Sequence, residues 1–118
     1  MRKERLAMQR ESFATALEGG FIEEYSLDLL AKALTMRVDV LDAERLSSYQ
    51  IGFVGISLLE FHDESVRQWE RIEVTEIRIE EAPERSSTEE WKVWINFWDA
   101  AQLTLRCAAI RVDGEALS

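Results

Sequence analysis

One short segment of the chain brings together residue types that could bind a metal or move a proton. Glu60, His62 and Glu64 alternate with Asp63 among them, so they would project to one side if a strand continued that far. Carboxylates with an imidazole can hold a divalent metal or act as acid and base. However, His62 is the single histidine and has no cysteine nearby. We therefore interpret it as a turn histidine among solvated acids, and predict no metal, no cofactor and no catalytic residue.

The most unusual feature is a predicted aromatic strand over residues 91–98. One face carries Trp91, Val93, Ile95 and Phe97, and the other carries Lys92, Trp94, Asn96 and Trp98. Such a strand is either covered on both sides, by a helix or across a homodimer interface, or it displays an aromatic patch. Because tryptophan is enriched at interface hot spots, we take Trp94 and Trp98 as candidate partner-binding residues. The alternative is a small-ligand site, with tryptophans lining a cavity in a curved sheet.

The charge of the chain is strongly negative and unevenly distributed. The net charge is −9, and residues 60–90 alone hold eleven acids against four bases. This composition speaks against nucleic acid and anionic membranes as partners, and favours a basic protein. The candidate acidic surface is a lip around the single proline, formed by Glu81, Glu84, Glu89 and Glu90. Such a run is also typical of an ordinary solvated loop.

The single cysteine, Cys107, cannot form an internal disulfide and lies in an apolar run, which predicts a buried and inert thiol. The N-terminus has charges without an apolar segment behind them, and no stretch approaches 18 uncharged apolar residues. The sequence therefore predicts neither a signal peptide nor a membrane span, and a cytoplasmic location.

The elements that would position these residues follow from the hydrophobic spacing. Leu6, Phe13 and Leu17 share one face of a helix predicted over residues 3–17, and Gly19-Gly20 would end it. Alternation as in Leu34–Val40 then predicts strands at about 21–28, 33–41, 49–61, 69–80, 91–98 and 103–112. Residues 42–48 and 62–65 are predicted to be turns, and residues 113–118 a frayed tail. Gly52 and Gly55 indicate a bulge or bend, and a change of phase near Thr75-Glu76 indicates a bulge.

These elements predict one domain over residues 1–118, with a helix over 1–18 and an antiparallel sheet over 21–112. The fold class is α+β and mainly β. Short links between consecutive strands favour an antiparallel meander of six strands, strongly curved or rolled into a barrel, with the helix packed on it.

Three segments carry a resemblance to a known group of proteins. They are Ala16–Tyr25, Tyr49–Ile56 and Trp91–Trp98. Over about residues 16–112 the chain resembles small, uncharacterised bacterial proteins of the YxiG-like kind, on a Gly-Gly turn and aromatic strand positions. Similar small acidic bacterial β-proteins include immunity partners of polymorphic toxins, which implies a binding role. We therefore expect a non-enzymatic interaction module of a bacterial protein, acting alone or as a homodimer. The most specific form of this hypothesis is an immunity-type protein that blocks a basic toxin. A ligand-binding barrel or sandwich is the alternative, and a metal-dependent enzyme the remote one.

Overall fold

The structure is a computed structural model that describes residues 10–63, 68–81, 91–98 and 101–117. The described residues form one helix and nine strands. These are α1 (Arg10–Leu17), β1 (Phe21–Asp28), β2 (Ala33–Asp42), β3 (Arg45–Val54), β4 (Leu58–Asp63), β5 (Val74–Glu81), β6 (Trp91–Phe97), β7 (Ala101–Cys107), β8 (Ala109–Val112) and β9 (Glu115–Ala116).

The strands form two antiparallel sheets that two short links in the chain connect. The first sheet has the order β1-β2-β3-β8-β9, and the second has the order β4-β7-β6-β5. The chain passes directly from β3 into β4 and from β7 into β8. The class is therefore mainly β with one N-terminal helix, as predicted. The described residues do not form the predicted single sheet or barrel. The start of β1 joins the segment that leads into β5 only around the Phe21–Glu73 bridge, where the Ile22 N–H also donates to the Ile72 carbonyl at 2.9 Å.

The predicted meander is confirmed within β1-β2-β3 and within β5-β6-β7, but it does not continue from the third predicted strand to the fourth. The third predicted strand, which is β3 and β4, pairs with the sixth, which is β8 and β7. Consequently β4 forms one edge of the second sheet and β5 forms the other. The spacing of apolar residues within a strand predicts which of its faces is buried, but it does not determine which distant strand it pairs with.

The bend between the two sheets is at Gly55, one of the two glycines that indicated it. Gly55 has a φ of +72°, a conformation that favours glycine. Beside it, the Ala108 N–H donates to the Val54 carbonyl at 2.9 Å, and the Ser57 N–H donates to the Arg106 carbonyl at 2.9 Å. Backbone hydrogen bonding between these two segments thus continues across the bend, so both segments change direction together.

Two bulges adjust which side chains face the core. The predicted bulge near Thr75-Glu76 is confirmed by the register shift between Val74 and Glu76. A second register shift, between Ile22 and Glu24 in β1, was not predicted. It places Tyr25 and Leu27 opposite the buried residues Met36 and Leu34, and so on the inner side of the first sheet.

The core lies between the sheets and is closed at one end by the helix. Phe13 and Leu17 of α1 are buried, and α1 packs against β5 and β2. Val38 and Leu105 are buried, and Cys107 is buried as predicted. The part of the predicted helix before Arg10 lies outside the described residues. In the described part of the chain, no helix is both long enough and apolar enough to cross a membrane.

Three local predictions are corrected. Residues 45–48 belong to β3, because Ala43 and Glu44 alone form the turn with φ values of +52° and +67°. His62 and Asp63 belong to β4 and not to a turn. The tail is not frayed up to residue 117, because β9 pairs with β8 and Leu117 is buried.

Candidate functional site

Trp94, the first predicted interface residue, is held by neighbouring cations on the outer face of the second sheet. The guanidinium carbon of Arg78 lies 4.7 Å from the centre of its ring, and the Lys92 ammonium nitrogen lies 5.0 Å away. Arg78 is its cross-strand partner on β5. The ring is half-buried, so much of it is already engaged in cation–π contacts within the chain.

Trp98, the second predicted interface residue, belongs to a different surface. It follows the last residue of β6, and its N–H donates to the Glu73 carbonyl at 3.0 Å. Its side chain is 57% exposed and borders a groove together with Phe21 and Glu73. The structure therefore does not bring Trp94 and Trp98 into one patch.

The predicted acidic lip falls largely outside the described residues. Glu84, Glu89 and Glu90 are not among them. Glu81 ends β5, is exposed, and stands opposite Trp91 of β6. The lip as a binding surface stays a prediction.

The acid and imidazole pair lies on the outer face of β4. Glu60 stands opposite Thr104, and His62 stands opposite Gln102. Both side chains are exposed, and Glu64 lies outside the described residues. Among the residues that the structure describes, no three histidine, cysteine or acidic side chains gather where they could hold a metal ion.

A different site lies between the two sheets and is lined by residues of both. It is an apolar cleft of about 400 Å³. Both sheets and the segment before β5 line it. The lining residues are Ile22, Tyr25, Leu27, Leu34, Met36, Leu59, Phe61, Trp69, Ile72, Phe97 and Leu103.

One wall of the apolar cleft is a cluster of three aromatic rings. The ring centres of Phe61 and Trp69 lie 6.2 Å apart at an interplanar angle of 75°, and those of Trp69 and Phe97 lie 5.9 Å apart. Phe61 and Phe97 are 6.5 Å apart. These separations are within the range of favourable edge and tilted ring contacts, so the three rings support one another as a wall.

The mouth of the apolar cleft is open and remains apolar at its rim. Tyr25 of the edge strand β1 is 67% exposed, and Phe61 of the edge strand β4 is 58% exposed. Contiguous apolar side chains that stay this exposed are typical of surfaces that bind a ligand or a partner. The rim thus includes side chains from an edge strand of each sheet.

Polar groups in the apolar cleft are few. Among the described residues that line it, Tyr25 and Trp69 alone have a side-chain O–H or N–H. The indole nitrogen of Trp69 is buried and has no hydrogen-bond partner among the described residues. The other described lining residues are aliphatic or are phenylalanines, so apolar contacts dominate the cleft.

A second groove adjoins the apolar cleft across Trp69. This acidic groove measures about 430 Å³, and Trp69 lines both cavities. Its other lining residues are Phe21, Gln68, Glu70, Arg71, Glu73 and Trp98. Arg71 stacks on Phe21, with its guanidinium carbon 3.9 Å from the ring centre. The acidic groove therefore combines two carboxylates, one engaged guanidinium and an exposed tryptophan.

The sequence allowed a ligand cavity lined by tryptophans, but it did not identify the residues that line either cavity, for two reasons. The unpredicted bulge in β1 reversed the facing of Tyr25 and Leu27, and Trp69 was assigned to a strand that begins only at Val74. A signal was present, because Phe61 and Trp69 flank an otherwise polar stretch.

No family model matches the chain, and no curated protein matches it.

Proposed function

We propose that this chain is a non-enzymatic binding module and that the apolar cleft receives a small apolar molecule. The observation that carries the proposal is the cleft itself, which is concave, lined by both sheets and open at an exposed apolar rim. Small-molecule sites are typically of several hundred Å³, mostly apolar, with a few polar groups that orient the ligand.

The balance of apolar and polar groups indicates the kind of ligand. Burial of apolar surface would supply the affinity, because the lining residues are aliphatic and aromatic. The Trp69 N–H is an unsatisfied donor at the cleft wall. That nitrogen is itself buried, so a ligand in the cleft would contact the ring of Trp69 and not its N–H.

A series of linear alcohols from hexanol to nonanol tests the apolar cleft by titration calorimetry. Each added methylene should raise the affinity about fourfold until the cleft is filled, since burial of one methylene contributes about 0.8 kcal/mol. Leu27→Asp should weaken binding by roughly tenfold or more, because it places a carboxylate at the rim. Leu46→Asp is the matched control, since Leu46 is also an exposed strand leucine but does not line the cleft.

Two results would contradict this proposal. One is an affinity that does not depend on alcohol chain length. The other is equal binding by Leu27→Asp and Leu46→Asp, which would place the alcohols elsewhere on the protein.

The second candidate function is a protein interface, which the exposed rim residues Tyr25 and Phe61 favour. A basic partner, as for an immunity-type protein, would complement the net charge of −9. A second copy of the chain would cover the rim without charge complementarity. Sedimentation of the purified protein over a range of concentrations distinguishes a second copy from a basic partner, because only self-association would appear without another protein. Self-association through the rim should be weakened by Leu27→Asp but not by Leu46→Asp.

A further inference from the structure

We propose that the free edge of β4 binds an extended segment of a partner protein, which adds to the second sheet as a further strand. The segment has one basic residue between two apolar residues. This inference rests on the proposed function, because the apolar side chains of the segment would cover the apolar cleft. It adds the class of the ligand and the backbone groups that would bind it.

The backbone hydrogen bonds of β7 show which groups of β4 are already paired. In an antiparallel sheet, alternate residues point their N–H and C=O to the same neighbouring strand. The Arg106 carbonyl accepts from the Ser57 N–H at 2.9 Å, so Arg106 of β7 points to the side of β4. Thr104, two residues earlier, points to the same side and bonds with its partner Glu60.

The hydrogen bonding on the far side of the sheet agrees with this assignment. The Thr75 hydroxyl donates to the Asn96 carbonyl at 3.0 Å, so Asn96 of β6 points to β5. Its neighbour Ile95 then points to β7 and bonds with its partner Leu103. Because Leu103 points to β6, the adjacent Thr104 points to β4.

The backbone groups of β4 that remain belong to Leu59 and Phe61. These residues flank Glu60, so their N–H and C=O groups point away from β7, to the free edge. Among the described residues, no strand pairs with this edge. Leu59 and Phe61 also line the apolar cleft. The same two residues thus offer backbone groups to a new strand and side chains to the apolar cleft.

The strand β4 differs from the other edge strands because it has no device that prevents pairing. Edge strands commonly carry a bulge, a lysine or a proline, or are very short. The strands β1 and β5 each have a register shift, and β9 has two residues. By contrast, the six residues of β4 pair with β7 without a register shift and include no lysine or proline. A regular edge of this kind readily pairs with another strand.

A strand on this edge would place apolar side chains over the apolar cleft. Its residues opposite Leu59 and Phe61 would lie about 5.5 Å away between Cα atoms, with their side chains on the same face of the sheet. They would cover the rim at Phe61, which is 58% exposed. Apolar contact with Leu59 and Phe61 therefore selects apolar residues at these two positions of the segment.

The charge of the edge selects the residue between them. That residue would lie opposite Glu60, which is exposed on the outer face. Opposite charges in a cross-strand pair stabilise a sheet, and like charges destabilise it. The net charge of −9 also attracts a basic segment and repels a second copy of the chain. Charge complementarity therefore favours a basic partner as the occupant of the edge.

A capped heptapeptide, Ser-Thr-Val-Lys-Leu-Thr-Ser, provides the probe for titration calorimetry. Its valine and leucine would bond with β4, and its lysine would point its N–H to solvent. N-methylation of the valine nitrogen should weaken binding by roughly tenfold or more, because it removes a hydrogen bond and places a methyl group between strands that are about 4.8 Å apart. N-methylation of the lysine nitrogen is the matched control and should change the affinity by less than about twofold.

Substitution of Glu60 tests the selection of charge. In the parent protein, replacing the lysine of the peptide by glutamate should weaken binding by about fivefold. Glu60→Lys should reverse this preference. Glu44→Lys changes the net charge equally, but it lies in the turn between β2 and β3 and should preserve the preference.

Amide hydrogen exchange, measured by NMR, identifies the edge directly. In the free protein, the N–H groups of Leu59 and Phe61 should exchange roughly tenfold or more faster than that of Glu60, which β7 protects. Saturating peptide should slow exchange at Leu59 and Phe61 and leave Glu60 unchanged. Equal exchange at all three residues in the free protein would contradict the assignment of the edge.

The outcomes separate this inference from the proposed function. Equal weakening by the two N-methylations, or failure of the peptide to bind while the alcohols still bind, would overturn strand addition and leave the apolar cleft as the binding site. Equal changes of the charge preference in Glu60→Lys and Glu44→Lys would overturn the pairing with Glu60. Slow exchange at Leu59 and Phe61 in a protein that sediments as a dimer would assign the edge to a second copy and overturn the proposal. Failure of both the peptide and the alcohols to bind would overturn both proposals.

Discussion

Substitution of Gly55 by alanine tests the bend that separates the two sheets. A Cβ atom added at Gly55 would lie 2.9 Å from the Cβ of Ala108, well inside the 3.5–4.0 Å at which carbon atoms attract. The residue also has a φ of +72°, which costs an alanine about 1 kcal/mol. With about 1–3 kcal/mol for overpacking, the expected loss in the free energy of unfolding is about 3 kcal/mol.

Gly114→Ala is the matched control for the backbone term. Gly114 has a similar φ of +86°, but an added Cβ would have no atom within 4 Å. Its alanine variant should therefore lose only about 1 kcal/mol. Urea unfolding of both variants measures the difference, provided that the dependence on urea concentration is unchanged.

Ala108→Gly should rescue the Gly55→Ala variant. It removes the atom at 2.9 Å, and the remaining distances of 3.5 Å to the Ala108 nitrogen and 3.8 Å to its Cα are ordinary contacts. In a double-mutant cycle we expect a favourable coupling of about 1–2 kcal/mol. A coupling near zero, or equal costs for Gly55→Ala and Gly114→Ala, would refute the close approach of the two strands at the bend.

Two further predictions concern the core and its C-terminal margin. Val38→Asp should cost several kcal/mol or prevent folding, because Val38 is 1% exposed. Val54→Asp, on the neighbouring strand, should cost much less, because Val54 is 38% exposed. Thermal melting of both variants measures the difference, and similar melting temperatures would contradict the inward facing of Val38. Leu117→Ala should cost about 2–3 kcal/mol in urea unfolding, because the Leu117 side chain is lost from a site that is 6% exposed. The backbone N–H of Leu117 donates to the Ile110 carbonyl at 2.8 Å and holds the chain end in place. A loss below about 0.5 kcal/mol would mean that the chain end is frayed.

The parts of the fold that follow local rules could be predicted from the sequence. Alternation in Leu34–Val40 identified β2 and its buried face, and the change of phase at Thr75 identified the bulge in β5. Gly55 indicated the bend. In each case the signal is a property of neighbouring residues, so no knowledge of distant contacts was needed.

Turns show where residue types mislead. The turn at Ala43-Glu44 uses two positive φ values without glycine or asparagine, so the sequence carries no sign of so tight a hairpin. Asp113-Gly114 has the residue types favoured in such a hairpin, with φ values of +52° and +86°, and this signal could have revealed β9.

The apolar cleft could not be derived from spacing, because it depends on which sheets the strands join. Leu59 and Phe61 line it only because β4 pairs with β7 and leaves its other edge free. Tyr25 and Leu27 line it on the same side as Ile22 only because of the bulge in β1. Pairing partners and bulges together decide whether an inward side chain meets another sheet or an opening.

The unequal filling of the core is the physical reason to assign binding to the apolar cleft. Near one end of β2, Val38 packs beside the helix-ending Gly20, and Phe13 and Leu17 of α1 are buried. Near the other end, Leu34 and Met36 line the apolar cleft, and no helix covers it among the described residues. Exposed apolar surface at the rim weakens folding relative to a covered rim, at about 25 cal/mol for each Å². A ligand that covers this rim recovers that free energy on binding, so the same residues that limit stability would drive association.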